Sequence, residues 1–309
     1  MQMKKIITQL HYVLLINRNF GIKYALQYFM NKFVFRNERL FGKYKESYYS
    51  SVRKYIADNY YSDGIGTANK SMGKIKSDCP IWTMWWQGKE DIPEIVECCI
   101  NSIYSNKGEH ELVVLDKYNY INYISLPESI IDKFNAGKIP IAQLVDMIRI
   151  ELLYKYGGIW MDATLYLEHQ FDNIIYEYDF FSIKHGKSLY LSDGAWSTFF
   201  LACGINNYII GEIRKVFLDY WLHENCPIDY FIFDCIIKII YDNDVLAKEK
   251  IDSIPFNNED VFYMNNMLNK NADKYIKNEG TYINKLSWKE KHCLYDGKNE
   301  SLYKKILYI

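Results

Sequence analysis

The stretch that decides the fold is Ile141-Ala142-Gln143-Leu144-Val145-Asp146-Met147-Ile148-Arg149, continued six residues later by Tyr156-Gly157-Gly158-Ile159-Trp160-Met161-Asp162-Ala163-Thr164-Leu165-Tyr166-Leu167. Leu144, Ile148 and Leu152 recur every four residues, with Ile141 and Val145 widening the stripe, which is a helix pattern. Asp146 and Arg149, three apart, share a face away from the stripe centre. Gly157-Gly158 ends the helix, because glycine takes up a C-cap conformation at little cost. Ile159–Leu167 then reads as a short buried strand interrupted by one acid, Asp162. A carboxylate in an apolar strand is costly without a cation or a ring of donors. It either pairs with Arg149 or caps a turn, or it serves a site.

The remainder builds a βαβ rhythm around that stretch. Ile81–Trp86 reads as a strand, Ile92–Asn106 as a helix, and Glu111–Leu115 as a second strand ending in Asp116. Pro93 is acceptable in the first helical turn. A helix is expected near Glu128–Phe134, a strand at Phe180–Ile183, and a helix from Asn206-Asn207 through Leu222. Asp229 opens another helix, while 242–284 is polar and poorly patterned. Ligands on such sheets collect at the carboxyl ends of strands. Asp116 is at such an end, although strand-end Asp is also a common turn residue. Asn206 or Asn207 reads as a helix cap.

Asp-x-x-Arg at 146–149 and Tyr-Gly-Gly-Ile-Trp-Met-Asp-Ala-Thr at 156–164 resemble the capsular-polysaccharide synthesis glycosyltransferases. These are related to the DXD-type sugar transferases, which include the yeast initiating mannosyltransferases and the glucosylating clostridial toxins. The resemblance runs from about Pro80 to Trp288 and departs twice: Val145 replaces a usual Ser, and Thr164 a second acid. It implies an α/β, GT-A-like fold: a Rossmann-like, mainly parallel sheet flanked by helices. It implies donor-binding roles for Thr83, Trp85, Asp116, Asp146, Arg149, Gly158, Ser287 and Trp288, the last two in a C-terminal segment that closes over the donor phosphates. It implies catalytic roles for Asp162, Arg149 and Asp229. The alternative for Asp229 is a charge that complements a helix dipole. Mn²⁺ or Mg²⁺ is implied at Asp162, with Thr164 offering only a neutral hydroxyl, since both ions prefer hard oxygen ligands. His292 is a candidate late ligand. Of Trp82, Trp85 and Trp86, at least one is expected beside the nucleotide, where an aromatic face can stack on the base.

Length, charge and cysteines bound the rest. The 309 residues suit one large α/β domain with additions, or two small domains. The net charge is −1, so no global nucleic-acid signal exists. Seven cysteines without a C-x-x-C pair suggest neither a disulfide framework nor a zinc site. No apolar run of spanning length occurs, and no clean signal peptide. Up to residue 60, eleven Lys/Arg stand against three Asp/Glu, a net +8 that leaves −9 for the remainder. Aromatics interleave with these charges, so this stretch is either a membrane-surface element or a hairpin packed on the core. The organisation expected is a basic amphipathic helical extension at 1–61, a linker at 62–79 and a catalytic domain at 80–309.

The functional expectation is transfer of a sugar from a nucleotide donor, most plausibly a UDP-sugar, to a lipid-linked capsular or exopolysaccharide intermediate. Retention of configuration is implied by the resemblance alone. The enzyme would be cytoplasmic and peripheral on the inner face of the cell membrane. The alternatives are a catalytically degenerate, sugar-binding scaffold and a toxin-like protein glycosyltransferase.

Overall fold

A computed structural model of the chain describes residues 2–35, 37–62, 73–186, 191–276 and 278–308. The helices are α1 (Gln2–Phe20), α2 (Ile22–Phe29), α3 (Glu38–Tyr60), α4 (Glu94–Asn106), α5 (Glu128–Asn135), α6 (Ile141–Tyr156), α7 (Tyr208–His223), α8 (Ile232–Asn243), α9 (Val245–Ser253), α10 (Tyr263–Met267) and α11 (Leu302–Leu307). The strands are β1 (Ile81–Met84), β2 (Leu112–Leu115), β3 (Gly158–Met161), β4 (Leu165–Leu167), β5 (Phe180–Ser182), β6 (Phe200–Cys203) and β7 (Ile283–Lys285), followed by a small hairpin at Tyr295–Glu300.

The expected α/β architecture is what forms. Five strands make one sheet in the order β2-β1-β3-β6-β5. β1 is parallel to both β2 and β3, whereas β6 runs against both β3 and β5. Four strands therefore point one way and β6 alone is reversed. From β1 the chain crosses to one side to make β2 and returns to the other side to make β3. That reversal opens a crevice at the carboxyl ends of β1 and β3.

α6 is central. Leu144, Met147, Ile148, Ile150, Leu152 and Leu153 are all buried, and so are Gln143, Arg149 and Glu151 between them. Its end is set by two glycines with positive φ, Gly157 at 65° and Gly158 at 101°. A Cβ on Gly158 would lie 2.3 Å from the Pro80 carbonyl oxygen, so β3 can approach β1 this closely only without a side chain.

Three expectations change. Ile159–Leu167 is two strands in two sheets, because the chain turns at Asp162–Thr164, with the Leu165 amide donating to the Asp162 carbonyl at 2.9 Å. Asp162 thus stands at the carboxyl end of β3 and not inside a strand. Residues 242–284 hold two helices, α9 and α10. Their periodicity is hidden by length, at nine and five residues. Of the expected linker, 63–72 lies outside the described residues, whereas Ile75 is buried and its amide donates to the Tyr178 carbonyl at 2.9 Å.

The N-terminal helices share the main hydrophobic core through Ile16, Phe20, Tyr28, Tyr48, Val52 and Ile56. α3 lies on α7 and α8. Tyr55 and Tyr60 donate to Glu224 at 2.5 and 2.6 Å. Some of the basic charge turns inward: Lys45 is buried and Lys32 lies 3.7 Å from the buried Asp229, while Arg53 and Lys54 pair with Glu46 and Asp58 of the same stretch. All seven cysteines are free. Among the described residues no helix is long and apolar enough to cross a membrane.

Candidate active site

A cleft of about 680 Å³ opens at the carboxyl ends of β1 and β3, in the range of small-molecule sites. β1 delivers Trp85, Trp86 and Gln87 to one wall, and α6 delivers Asp146 and Arg149 to another. The turn after β3 supplies Asp162 and Thr164. Tyr230, Phe233 and Asp234 come from the start of α8, and Lys285 to Lys289 from the end of β7.

The centre is a row of alternating charge. Arg149 Nη2 donates to Asp146 Oδ1 at 2.6 Å and lies 3.7 Å from Asp162 Oδ1. Its Nη1 donates to the Thr198 carbonyl. The guanidinium lies between the Trp160 and Phe233 rings, 4.9 and 5.2 Å from their centroids. Its Nε is buried with no acceptor. Asp162 Oδ1 accepts from Trp160 Nε1 at 3.0 Å, and its Oδ2 from Lys285 Nζ at 2.6 Å. Lys285 lies 5.1 Å from the Phe199 ring centroid. Trp196 Nε1 donates to Asp234 Oδ1 at 3.2 Å.

These surroundings drive the acids apart. Burial works to raise the Asp162 carboxyl, but Lys285 and then Arg149, with the two donors on its oxygens, hold it below the usual carboxylate range. Burial raises Asp146 to about 7 against the pull of Arg149, with Asp162 and Asp234 adding to the rise. Burial likewise raises Asp234 to about 6, opposed by the Trp196 hydrogen bond and Arg149. The cleft thus holds one acid kept ionised by its cationic neighbours beside two whose carboxyls are raised by burial.

Long-range pairing puts Lys285 there. β7 runs antiparallel to β4 with Lys285 opposite Leu165, and the Leu286 amide donates to the Thr164 carbonyl at 2.9 Å. The next residue is tied to α10, since the Ser287 amide donates to Asn265 Oδ1 at 2.7 Å. Trp288 then meets Trp85 edge to face, with centroids 5.4 Å apart, forming an aromatic corner.

The structure brings Asp146, Arg149, Asp162, Thr164, Trp85, Ser287 and Trp288 to this cleft. Four expected site residues lie elsewhere. Asp229 is fully buried beneath the N-terminal helices, accepting from Tyr48 Oη at 2.8 Å and from the Phe231 amide at 3.0 Å, with Lys32 3.7 Å away. It anchors α3 to the core. Asp116 closes the turn after β2, accepting from the Tyr118 and Asn119 amides at 2.8 and 3.0 Å. Thr83 is buried inside the sheet, its hydroxyl without a partner. Gly158 is a packing glycine against Pro80. Of the three tryptophans, Trp85 and Trp86 reach the cleft, while Trp82 is buried and donates to the Gly157 carbonyl at 3.0 Å. His292 stacks on Tyr303 and contacts the Ser287 carbonyl at 2.9 Å, bracing the C-terminal segment. Asn207 caps α7.

Sequence reasoning missed Lys285, Trp160 and Asp234 as site residues. Lys285 had one available signal: it is two residues before Ser287, hence on the same face of an extended segment.

The donor set does not suit a divalent ion at Asp162. Both of its oxygens are engaged, Thr164 offers a neutral hydroxyl, and the described residues contain no cluster of three His, Cys, Asp or Glu that could hold a metal. An ion at the expected Mn²⁺ or Mg²⁺ site of Asp162 and Thr164 would have to displace the Lys285 ammonium group. An ammonium group takes the place an ion would need.

Residues 30–306 match the family described as "Capsular polysaccharide synthesis protein". The chain belongs to that family. The match starts ahead of α3 and so includes it. No curated protein matches the chain. Among solved structures it is similar to one described as "PaToxG Glycosyltransferase", with 13% identity and a TM-score of 0.41, over 71% of this chain and 88% of that one.

Proposed function

We propose that this capsular synthesis family member is a glycosyltransferase with a GT-A-like catalytic core. It would move a hexosyl group from a UDP-sugar to a lipid-linked capsular or exopolysaccharide intermediate, with retention of configuration. The observation that carries the reading is the charge row Asp146–Arg149–Asp162–Lys285 at the carboxyl ends of β1 and β3, within a family-wide match.

Each group has a task in that reading. The aromatic corner of Trp85 and Trp288 offers a face for the base. Asp146 and Asp234 accept from sugar hydroxyls. Arg149, pinned between two rings, holds Asp146 and Asp162 in place. The cations offset the charge that develops on the departing diphosphate, which is electrostatic catalysis in a preformed site. A lipid-borne acceptor is supported by the outer face of α1 and α2. Ile6, Ile7, Leu10, Leu14, Ile22 and Leu26 are exposed there, with Arg18 and Lys23 exposed on the same two helices. That chemistry suits an anionic lipid surface and the inner face of the membrane.

The test is nucleoside diphosphate release from UDP-Gal, UDP-Glc, UDP-GalNAc, UDP-GlcNAc and GDP-Man by the purified full chain. Slow release from one donor, lowered at least about 100-fold in Asp162→Asn, is expected. A second reading, a sugar-binding scaffold, is favoured by Thr164 standing where a second acid would be. It predicts donor binding without release, and Asp162→Asn would then still support polysaccharide synthesis in the cell.

A further inference from the structure

We infer that Lys285 is the cation of this site: its ammonium group, seated on Asp162, takes the diphosphate of the donor directly, and donor binding needs no divalent ion. This rests on the transferase reading above and adds a residue and an ion requirement to it.

Three observations carry it. First, Asp162 is not available as a metal ligand. Its Oδ2 accepts from Lys285 Nζ at 2.6 Å, while its Oδ1 accepts from Trp160 at 3.0 Å and faces Arg149 at 3.7 Å. A metal would have to break the Lys285 contact and place two like charges side by side. Second, Lys285 has capacity to spare. An ammonium group carries three donors. Asp162 takes one, and among the described residues no other acceptor is hydrogen-bonded to Nζ. Arg149 is less open to a ligand, because its side chain is only 7% exposed, against 23% for Lys285. Third, the position is built. Pairing of β7 with β4 fixes the Lys285 backbone opposite Leu165, and Asp162 and Phe199 fix the head group. Lys285 is thus preorganised on a strand and needs no lid to form.

The bookkeeping of the transfer is then complete without a metal. The bond between the anomeric carbon and the diphosphate oxygen breaks, and its electron pair stays on that oxygen, where Lys285 meets the new charge. The acceptor hydroxyl oxygen forms the bond to the anomeric carbon, and its proton passes to the departing diphosphate. Asp162 keeps Lys285 aimed throughout.

The experiment is titration of the full chain with UDP, and with GDP in parallel, by calorimetry in EDTA and again in excess Mn²⁺. Lys285→Met keeps the length of the stem and removes the charge. Its melting temperature is measured beside the parent, and Lys285→Arg tests rescue. We expect UDP to bind in EDTA and Mn²⁺ to change the affinity by no more than about twofold. Lys285→Met should bind at least about tenfold more weakly, with Lys285→Arg recovering part of the loss. Binding that disappears in EDTA and returns with Mn²⁺ would overturn the inference while leaving a metal-dependent transferase. So would a folded Lys285→Met that binds as tightly as the parent. Absence of binding to either nucleotide under both conditions would instead sink the transferase reading, and this inference with it.

Discussion

At the scale of single residues the cleft is a contest between burial and charge. Burial pushes Asp146, Asp162 and Asp234 all upward, yet only Asp162 ends below its ordinary value, because it alone holds a lysine as well as a share of Arg149. An acid whose folded value is raised binds its proton more tightly in the folded state, so it favours folding at low pH. That benefit is lost as pH climbs from the unfolded value, about 3.9, through the folded one. For Asp234 the upper end is about 6. Asp234→Asn keeps an acceptor for Trp196 and removes the buried charge. It should stabilise the protein above about pH 7 by up to about 3 kcal/mol, and the gain should vanish below about pH 4. Urea titrations across that range would show this, and a gain independent of pH would contradict the burial account. The opposite sign belongs to Asp162, whose lowered carboxyl adds stability above about pH 4 that is withdrawn as acid protonates it. Asp146–Arg149 and Asp162 were legible as a chemical group because their spacing is local. Lys285 was not, because it is 123 residues from its partner.

At the scale of elements, the close approach of β3 to β1 decides where the acid stands. Pro80 accepts from the Ile159 amide at 2.9 Å, and this register carries Asp162 out beyond the sheet edge. Gly158→Ala would drive a methyl group into the Pro80 carbonyl at 2.3 Å, at a φ of 101°. The expected cost is about 3 kcal/mol or more, read as a lower denaturation midpoint. A variant as stable as the parent would show that β3 can retreat without penalty. The strand–helix–strand order, the helix of the central motif and its glycine stop were all readable from periodicity and turn chemistry. The break at Asp162–Thr164 was not: an apolar run of nine residues looks the same whether it stays in one sheet or changes sheets. What tells them apart is β7, which pairs with the second half only.

At the scale of the whole molecule, the N-terminal helices face two ways. Inward they belong to the core, tied by Tyr48 to Asp229 and by Tyr55 and Tyr60 to Glu224. The family match, from residue 30 on, includes α3. Outward they leave a row of aliphatic side chains in water, with Leu14 67% and Ile7 61% exposed. Replacing Leu14 by Asp should cut flotation on vesicles of anionic lipid by about tenfold, since it trades a buried aliphatic group for a repelled charge. Release of nucleotide from a soluble donor should be untouched. Equal flotation of parent and variant would remove the lipid contact from this face. The basic count up to residue 60 suggested such a surface but overstated it, because Lys32 faces the buried Asp229 and the buried Lys45 donates to Asn31.

The sequence by itself determined the class of fold, the central helix with its glycine stop, and the local pair of Asp146 and Arg149 leading to Asp162. Each of these is written in spacings shorter than two dozen residues, where periodicity, capping and side-chain reach act directly. Only the tertiary structure decided that Asp229 supports the N-terminal helices and not the cleft. Only it showed that Asp116 closes a turn, and that a lysine on a distant strand occupies the carboxylate where an ion was expected. Those outcomes depend on which strands pair and which helices cover them, and pairing across more than a hundred residues leaves no mark on either segment alone.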